Sequence, residues 1–369
     1  MHILFVLFIT ITCVQLCYYV LIFSRFSFAK QSNNQNSNLP VSVLICARNE
    51  SNNLQQNLSS ILNQNYTNFE LVLINDGSHD DTLAIFESIK EKYKSSHQIK
   101  IVNVVENEKF WGSKKYALTL GIKAASNEYL LFTDADCQPA SNQWISEMTS
   151  QFSEKKEIVL GYGAYKKVKN SFLNKIIRYE TLYTALQYFS YAKIGLPYMG
   201  VGRNLAYKKS VFFKANGFAK HMHIKSGDDD LFINENGNKK NTTIKFSQNS
   251  FTVSEPKKTF SSWIHQKRRH IATANHYKPI HKLLLGLSYS TQLLFWLLAS
   301  LLLILNYNWI FVLLIIGIRI LFQYIVFERA AKKLNERDLT LWVPFFEIFL
   351  IWIQLFIFIK NKISKPTHW

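Results

Sequence analysis

Acidic residues and cysteines are both scarce in this chain. It has 25 Asp and Glu against 43 Lys and Arg, for a formal net charge of +18, and four cysteines among 369 residues. Cys13 and Cys17 lie in an apolar segment, Cys46 in a short apolar run and Cys137 beside two aspartates. This usage argues against a disulfide framework and agrees with a domain in the cytosol.

The excess of positive charge fits either a nucleic-acid partner or an anionic membrane surface. No helix-turn-helix, zinc-finger or aromatic RNA-binding pattern occurs in the sequence, which argues against nucleic acid as a partner. Much of the charge is gathered in one stretch that precedes a long apolar segment: Lys257, Lys258, Lys267, Arg268, Arg269, Lys278 and Lys282. That distribution favours a membrane surface.

Long apolar segments predict an integral membrane protein. Three of them approach the ~20 residues that a bilayer-crossing helix needs; they are Ile3 to Phe23, Leu283 to Leu305 and Trp309 to Phe327. Apart from Arg319, they contain no Lys, Asp or Glu. Leu341 to Ile359 is a fourth candidate, which Pro344, Glu347 and Gln354 weaken. It either crosses the bilayer or lies along its surface.

The first apolar segment is interpreted as a retained anchor rather than a signal peptide, because a charged leading region and a small-residue cleavage site are missing. Arg25 and Lys30 follow it directly. The positive-inside rule therefore predicts a multi-pass protein of the cell (inner or plasma) membrane with its next domain in the cytoplasm. A fourth crossing would leave Lys360, Lys362 and Lys365 outside, against the same rule, and that orientation stays open.

Apolar strand-like runs alternate with helix-like segments in the first half of the chain. Buried parallel strands are expected at Val41–Ala47, Phe69–Asp76 and Ile99–Val105, and at a run that ends in Asp134. Helices are expected from about Ser51 through Leu62, over Thr82–Tyr93 and from Gly112 onward. This alternation predicts a doubly wound α/β sheet.

A further helix is predicted over Phe172–Ile194, where apolar residues recur at helical spacing with Lys and Arg between them. It lies near the bilayer or packs on the sheet, and the sequence leaves both open. The expected organisation is an anchor at 1–24, a polar linker at 25–39, an α/β domain at 40–255 with halves 40–140 and 141–255, a basic interfacial segment at 256–282, an apolar region at 283–360 and a tail at 361–369.

Four polar clusters follow one another in a fixed order. They are Asn75-Asp76-Gly77-Ser78, Thr133-Asp134-Ala135-Asp136, Ser226-Gly227-Asp228-Asp229-Asp230-Leu231 and Gln266-Lys267-Arg268-Arg269-His270. The second follows an apolar run and so lies at the carboxyl end of a predicted strand, where open parallel sheets bind ligands. Its carboxylates, Asp134 and Asp136, suit Mg²⁺ or Mn²⁺ bridging to a diphosphate.

With these clusters in this order, Pro40 to His270 resembles the family-2 glycosyltransferases of GT-A fold. The resemblance is strongest to the membrane-embedded branch with cellulose, hyaluronan and poly-N-acetylglucosamine synthases and ceramide glucosyltransferase. It implies a Rossmann-like domain for a nucleotide-diphospho-sugar donor, most simply a UDP-sugar whose uracil ring contacts Asp76. It assigns the donor to Ala47, Arg48, Glu50, Asp76, Lys114 and Asp134, and the metal ion, Mg²⁺ or Mn²⁺, to Asp134 and Asp136.

The resemblance also implies a catalytic base, where the family has Glu-Asp-x-Asp-Leu. Asp228 aligns best with that base, and Asp229 is the second choice because Gly227 replaces the family's Glu and three consecutive aspartates leave the register open. The acceptor is assigned to Gly202, Asn204, Asp230, Gln266, Arg269 and His270. In the processive synthases a tryptophan that helps to place the growing chain stands at the position of His270, so this histidine argues against polymerisation.

The predicted function is metal-dependent, inverting sugar transfer from a nucleotide-sugar to a lipid-linked or membrane-proximal acceptor. A processive polysaccharide synthase is the alternative within the class. A nucleotidyltransferase is disfavoured, because Ala47 to Glu50 is not a Gly- and Lys-rich phosphate loop. A non-catalytic membrane scaffold would not need a complete set of carboxylates.

Overall fold

The chain forms two compact units. Its computed structural model describes residues 1–31, 38–105, 114–224 and 226–364. The sheet unit comprises Gln31–Val168 and Gly195–Pro256, and the helical unit comprises Met1–Lys30, Lys169–Ile194 and Lys257–Trp369. The domain expected at 40–255 thus corresponds to the sheet unit, except that residues 169–194 belong to the helical unit.

The described part of the sheet unit has ten strands in two sheets. The bounds are β1 Val41–Ala47, β2 Phe69–Asp76, β3 Gln98–Val104, β4 Tyr129–Asp134, β5 Cys137–Pro139, β6 Ile158–Leu160, β7 Gly163–Tyr165, β8 Leu205–Lys208, β9 Thr242–Ile244 and β10 Thr252–Ser254. The larger sheet has the order β3-β2-β1-β4-β8-β6-β9, and the smaller one the order β5-β10-β7.

The larger sheet is mixed. β1 runs parallel to β2 and β4, and β2 runs parallel to β3, whereas β8 is antiparallel to β4 and β6. The predicted parallel strands are therefore confirmed, with β3 beginning and ending one residue earlier than expected. Runs that are mostly apolar can be buried on both faces of a sheet, which agrees with the central positions of β1, β2 and β4.

Thirteen α-helices are described. They are α1 His2–Cys17, α2 Ser24–Ser27, α3 Ser51–Leu62, α4 Thr82–Lys92, α5 Lys114–Ala124, α6 Trp144–Thr149, α7 Phe172–Lys193, α8 Lys209–Lys214, α9 Asp230–Asn236, α10 Phe260–Thr273, α11 Pro279–Ile304, α12 Trp309–Lys333 and α13 Val343–Ile363. A π-helical turn at Tyr18–Phe23 joins α1 to α2. The predicted helix over residues 51–62 is confirmed, and the one over 82–93 ends one residue early. Gly112 and Ser113, where a third was expected to begin, lie outside the described residues, as do Lys365 and residues 32–37 of the polar linker.

The apolar side of α3 covers the sheet. Leu54, Leu58 and Ile61 are each about 1% exposed and join one core with the strand residues Val43 and Leu73. Their spacing of three and four residues puts them on one face of the helix. Burial of a Leu or Ile side chain contributes roughly 1.5–3 kcal/mol, so this face fixes α3 and the loop that precedes it.

Among the described residues, the helical unit contains four helical stretches that are long and apolar enough to cross a membrane: His2–Ser27, Pro279–Ile304, Trp309–Lys333 and Arg337–Ile363. The first runs antiparallel to α11, because Gln15 Nε2 donates to Thr291 O at 2.6 Å while Tyr18 Oη donates to Leu284 O at 2.6 Å. Ser27 Oγ donates to Val326 O at 2.8 Å, near the end of α12. The three predicted apolar segments are thus helices of one antiparallel bundle.

A buried ion pair lies within this bundle. Arg319 is 0% exposed, and its Nη1 donates to Glu347 at 2.7 Å and to Gln323 at 2.8 Å, while its Nε donates to Gln15 at 2.7 Å. Trp296 Nε1 donates to the same Glu347 carboxylate at 3.2 Å. Charged groups inside an apolar bundle persist only when they are paired and hydrogen-bonded in this way.

The helix α7 belongs to the helical unit rather than to the sheet. Ser190 Oγ donates to Phe23 O at 3.3 Å, and Gln292 Nε2 on α11 donates to Tyr183 Oη at 2.7 Å. Near its other end, Arg178 pairs with Glu336 through two hydrogen bonds. The sequence left open whether this helix lies near the bilayer or packs on the sheet. The structure favours the first, since α7 packs with the apolar helices.

Candidate active site

The first two polar clusters lie at one edge of the larger sheet. β1, β2 and β4 are parallel neighbours, and the register pairs Cys46 with Asp134 and Ala47 with Asn75. Their carboxyl ends therefore point to the same edge, which brings the loops after Ala47, Asp76 and Asp134 together. This edge is the place where open α/β sheets bind ligands.

The loops after β1 and β2 are joined by hydrogen bonds. Asn49, with φ 57°, accepts a bond from His79 N at 2.8 Å through its side chain, while Glu50 N donates to Thr82 Oγ1 at 2.9 Å. Asp80 accepts bonds from Ser51 N and Thr82 N at 3.0 Å each. Burial raises the pKa of Asp80, but the hydrogen bonds from Thr82 and Ser51 together outweigh it and lower the pKa to about 2. These hydrogen bonds between the two loops fix the strand ends at which Ala47, Arg48 and Asp76 lie.

Asp134, Asp136 and Cys137 form a group in which one ligand atom from each residue lies within 4.8 Å of the others. Cys137 is buried, with its Sγ 3.0 Å from Ser254 Oγ and 3.3 Å from Asp136 Oδ1. Burial raises the pKa of the Cys137 thiol, so the thiol stays protonated and the two carboxylates are the better ligands. Two carboxylate oxygen donors fit a hard cation such as Mg²⁺ or Mn²⁺.

Lys114, the first described residue of α5, connects the second and third of the polar clusters. Its Nζ lies 2.8 Å from Asp134 Oδ1 and 3.5 Å from Asp228 Oδ2. Although burial disfavours its charged form, the two carboxylates hold the pKa of Lys114 well above the usual value. A fixed positive charge therefore lies between the candidate metal ligand and the candidate base.

Asp228 and Asp229 differ sharply in their surroundings, although both line the pocket that also contains Lys114 and Asp134. Asp229 caps α9 by accepting a bond from Asp230 N, and it accepts another from Gly202 N, both at 2.7 Å. Burial, together with the charges of Asp228 and Asp230, raises the pKa of Asp229 to about 8. Asp229 is therefore mostly protonated at neutral pH, which leaves Asp228 as the better proton acceptor.

Asn204, which was expected to bind the acceptor, has a buried side chain with three hydrogen-bond partners. Its side chain is 0% exposed, with Oδ1 accepting from Trp144 Nε1 at 3.0 Å. Its Nδ2 donates to Tyr162 O at 2.9 Å and to Ser250 O at 2.7 Å. The amide is committed to these three partners and ties β8 to the neighbouring loops. Two other residues were also predicted to bind the acceptor. Gly202 lines the pocket, whereas Asp230 is buried at the start of α9.

Arg203 is a site residue that the sequence analysis did not select. Its guanidinium lies 4.4 Å from the centre of the Tyr165 ring and donates to Gly163 O at 2.9 Å and to Ser254 Oγ at 3.2 Å. Burial opposes its charge, yet its surroundings, with Tyr165 first and then Cys137 and Asp136, raise its pKa. Arg203 thus places a second positive charge beside the aspartate pair, and only its position between Gly202 and Asn204 signals it in the sequence.

Lys115 is the second residue missed. It is 0% exposed, and its Nζ donates to three backbone carbonyls, His221 O at 2.7 Å, Ile224 O at 2.9 Å and Ser226 O at 2.8 Å. Burial lowers its pKa. A buried ammonium with three acceptors is satisfied, so Lys115 holds the backbone that leads into Asp228 against α5. The sequence offers no signal beyond its position next to Lys114.

Gln266, Arg269 and His270, the remaining predicted acceptor residues, lie on α10 in the helical unit. His270 is exposed. Their neighbours on the helix have structural partners: Lys267 forms an ion pair with Glu180 of α7, and Arg268 Nε donates to Asn361 Oδ1 at 2.8 Å. Of the predicted residues, Lys114, Asp134, Gly202, Asp228 and Asp229 thus line one pocket, whereas the α10 residues lie in the other unit.

Comparisons with known proteins agree with this geometry. Residues 42–214 match the family model described as Glycosyl transferase family 2. An uncharacterized glycosyltransferase from Haemophilus influenzae is 35% identical over 128 residues, which cover 35% of this chain and 37% of the relative. A poly-beta-1,6-N-acetyl-D-glucosamine synthase from Staphylococcus epidermidis is 40% identical over 96 residues, 26% of this chain and 21% of the relative. The matches thus span well under half the length of either relative.

A solved structure resembles the fold over most of the chain. It is the mannosyltransferase PcManGT from Pyrobaculum calidifontis in complex with GDP-Man and Mn²⁺, with a TM-score of 0.56 and 16% sequence identity. The match covers 90% of this chain and 99% of that one. At this identity the likeness is one of fold.

Proposed function

We propose that this chain, whose residues 42–214 match the model described as Glycosyl transferase family 2 and whose fold resembles that of a solved mannosyltransferase, transfers a sugar from a nucleotide-sugar, UDP-linked, to a lipid-linked or membrane-proximal acceptor. The observation that carries the proposal is the position of Lys114 between Asp134 and Asp228. A candidate ligand of the donor's metal and a candidate base lie within reach of one side chain. A diphosphate and an acceptor hydroxyl could therefore meet there.

Asp228 is the base in this proposal. Its carboxylate takes the proton of the acceptor hydroxyl while that oxygen attacks the anomeric carbon and the bond to the diphosphate breaks. A single displacement of this kind inverts the anomeric centre. Asp229, protonated near neutral pH, keeps Gly202 and the start of α9 in place through its two hydrogen bonds.

Asp134 and Asp136 would hold the divalent cation. When bound, Mg²⁺ or Mn²⁺ offsets the charge that develops on the leaving diphosphate. Lys114 contributes beside it, because its ammonium can contact a diphosphate and then releases Asp228 from its present pairing. Ala47, Arg48, Glu50 and Asp76 lie on the loops of the same sheet edge and would bind the nucleotide.

The membrane supplies the acceptor in this proposal. The four long apolar stretches would anchor the protein in the cell membrane. The basic residues that flank them would keep the sheet unit on the cytoplasmic side by the positive-inside rule. A lipid head group at that leaflet would be the nearest acceptor.

Two proteins named as poly-beta-1,6-N-acetyl-D-glucosamine synthases are similar to part of this chain, and the one from Staphylococcus epidermidis is 40% identical over 96 residues. A processive synthase is therefore the second candidate. That match covers 21% of the relative, and His270 departs from the synthase motif. Product size distinguishes the two candidates.

The test uses purified protein in nanodiscs with Mn²⁺ or Mg²⁺ and a panel of UDP- and GDP-sugars. Nucleotide release is measured with and without a membrane lipid extract, and after chelation of the metal, and the products are sized. The proposal expects metal- and lipid-dependent release with one added sugar. A long product would support the synthase, and no release with any donor would favour a non-catalytic scaffold.

A further inference from the structure

The two ends of the antiparallel bundle differ in charge. One end, here the basic face, is where α2 ends, α11 begins and α12 ends; its basic residues include Arg25, Lys278, Lys282, Arg329, Lys332 and Lys333, against the single acidic Glu328 in the last turns of α12. The opposite end, here the turn face, is the connection Leu305 to Asn308, which contains no charged residue. Phe5, near the start of α1, contacts Tyr307 of that connection with ring centres 6.0 Å apart.

α13 begins well inside the bundle. The chain passes from Lys333 through a short 3-10 turn at Arg337–Trp342, in which Leu341 O accepts a bond from Tyr324 Oη at 3.1 Å. In the first turns of α13, Glu347 pairs with Arg319, near the middle of α12. The helix then passes α11, where Tyr289 Oη donates to Ile351 O at 3.0 Å.

The other end of α13 is bound to α10. Arg268 Nε donates to Asn361 Oδ1 at 2.8 Å, and Asn361 Nδ2 donates back to Arg268 O at 3.0 Å. Arg268 Nη2 also donates to Ser364 Oγ at 3.0 Å. These bonds join the end of α13 to the helix that immediately precedes α11.

α10 lies at the basic face. Lys267, Arg268 and Arg269 follow one another on it, and the helix leads through a short turn at Ala274–His276 into Pro279, where α11 begins. Charged residues at this density are costly inside a bilayer, so α10 stays at its surface. Since Asn361 is bound to α10, the end of α13 lies at the basic face as well.

A crossing helix would not have this geometry. α13 has 21 residues, which corresponds to a length of about 31 Å, enough to cross a hydrocarbon core of about 30 Å. If it crossed, Asn361 would lie at the turn face and Arg268 would have to reach it there. We propose that α13 does not span the bilayer but lies obliquely in the leaflet at the basic face, as a surface-binding helix whose partner is the lipid of that leaflet.

The side chains of α13 suit that partner. An exposed apolar stripe runs along one side of the helix at a spacing of three, four and seven residues: Phe345, Trp352, Phe356, Ile359 and Ile363. At its end Lys360 Nζ lies 5.5 Å from the centre of the Phe356 ring and Lys362 Nζ 4.7 Å from that of Phe358. Aromatic rings combined with lysines are typical of helices at the boundary between head groups and acyl chains.

Three crossings then remain, those of His2–Ser27, α11 and α12. Lys360 and Lys362 join the other cations at the basic face, which removes the conflict with the positive-inside rule that a fourth crossing creates. This inference is independent of the proposed sugar transfer, because it concerns only the helical unit.

Cysteine accessibility tests the path of α13. In a background with Cys13→Ser and Cys17→Ser, single variants Lys362→Cys, Ser261→Cys and Leu305→Cys are labelled with a membrane-impermeant maleimide in sealed vesicles of the two opposite orientations. Ser261 and Leu305 are exposed references on α10 and at the turn face. The background protein without an added cysteine gives the blank. We expect Lys362→Cys to be labelled from the same side as Ser261→Cys and from the side opposite to Leu305→Cys; labelling from the side of Leu305→Cys overturns the proposal.

Spin labels give a second readout that does not depend on vesicle orientation. Phe345→Cys, Trp352→Cys and Ile359→Cys carry nitroxides whose depth follows from their accessibility to oxygen and to a polar nickel complex. An oblique helix in one leaflet gives a depth that decreases steadily from residue 345 to residue 359. A maximum of depth at residue 352 would mean that α13 crosses the bilayer.

Discussion

Lys114 Nζ lies 2.8 Å from Asp134 Oδ1, so the strand end that carries the aspartate pair is neutralised by a residue from the next helix back along the chain. The same ammonium is 3.5 Å from Asp228 Oδ2. One side chain on α5 therefore connects the donor side of the proposed reaction to its base.

Lys114→Met should lower both donor affinity and turnover. The change keeps most of the side-chain volume but removes the charge between Asp134 and Asp228. Loss of one group that stabilises a developing negative charge typically costs about 10²–10³-fold in rate. Steady-state kinetics and nucleotide binding are measured beside Lys123→Met, an exposed lysine at the other end of the same helix. Equal effects of the two changes would contradict the role given to Lys114.

Lys115→Met should act on the loop before Asp228 rather than on the donor. It removes the three hydrogen bonds to His221 O, Ile224 O and Ser226 O. Hydrogen exchange should therefore increase in residues 219–229, and kcat should fall with little change in the KM for the donor. Unchanged exchange in that loop together with full activity would show that Lys115 does not position Asp228.

Asn204→Ala should reduce stability without changing the KM for the acceptor. The change leaves Trp144 Nε1, Tyr162 O and Ser250 O without their partner, and a buried polar group left unpaired costs about 1–3 kcal/mol. Thermal unfolding in detergent measures the first effect and acceptor titration the second. If the protein kept its thermal stability and lost affinity for the acceptor, Asn204 would be a ligand of the sugar after all.

The stability of the sheet unit should fall as the pH rises through the pKa of Asp229. Its pKa is about 8 in the folded chain and about 3.9 in an unfolded one, so between these values the folded state binds the additional proton. Stability then declines with rising pH by at most about 1.4 kcal/mol per pH unit, and the decline ends above pH ~8. The melting temperatures of the wild type and of Asp229→Asn are compared from pH 6 to 9. The variant should show a flatter profile, and two parallel profiles would contradict the assignment.

Much of the fold could be predicted because its strands are continuous apolar runs. Val41–Ala47 and Phe69–Asp76 have no alternative to burial on both faces of a sheet, and both occur where they were expected. The sequence indicates the aspartate pair and Lys114 as candidate site residues because their motifs stand at a predicted strand end and a predicted helix start.

The features that the sequence does not predict depend on contacts between segments that are distant along the chain. Lys114 and Lys115 are adjacent in sequence, yet one faces the pocket and the other is bound by a loop more than a hundred residues away. Asn204 stands at the position of the family's acceptor-binding asparagine, but its side chain is hydrogen-bonded to Trp144 and to two backbone carbonyls. The composition of α13 permits a crossing, and only its bonds to Arg268 and Arg319 indicate another path.

The most direct test of the central claim compares Asp228→Asn with Asp229→Asn. At saturating donor and with the lipid extract, transfer of a radiolabelled sugar is measured together with nucleotide binding. Asp228→Asn should lose about 10²–10⁴-fold in transfer while it still binds the nucleotide, and Asp229→Asn, which replaces a group already mostly protonated, should stay within about tenfold of the wild type. Full transfer by Asp228→Asn, or loss of transfer by Asp229→Asn alone, would contradict the account.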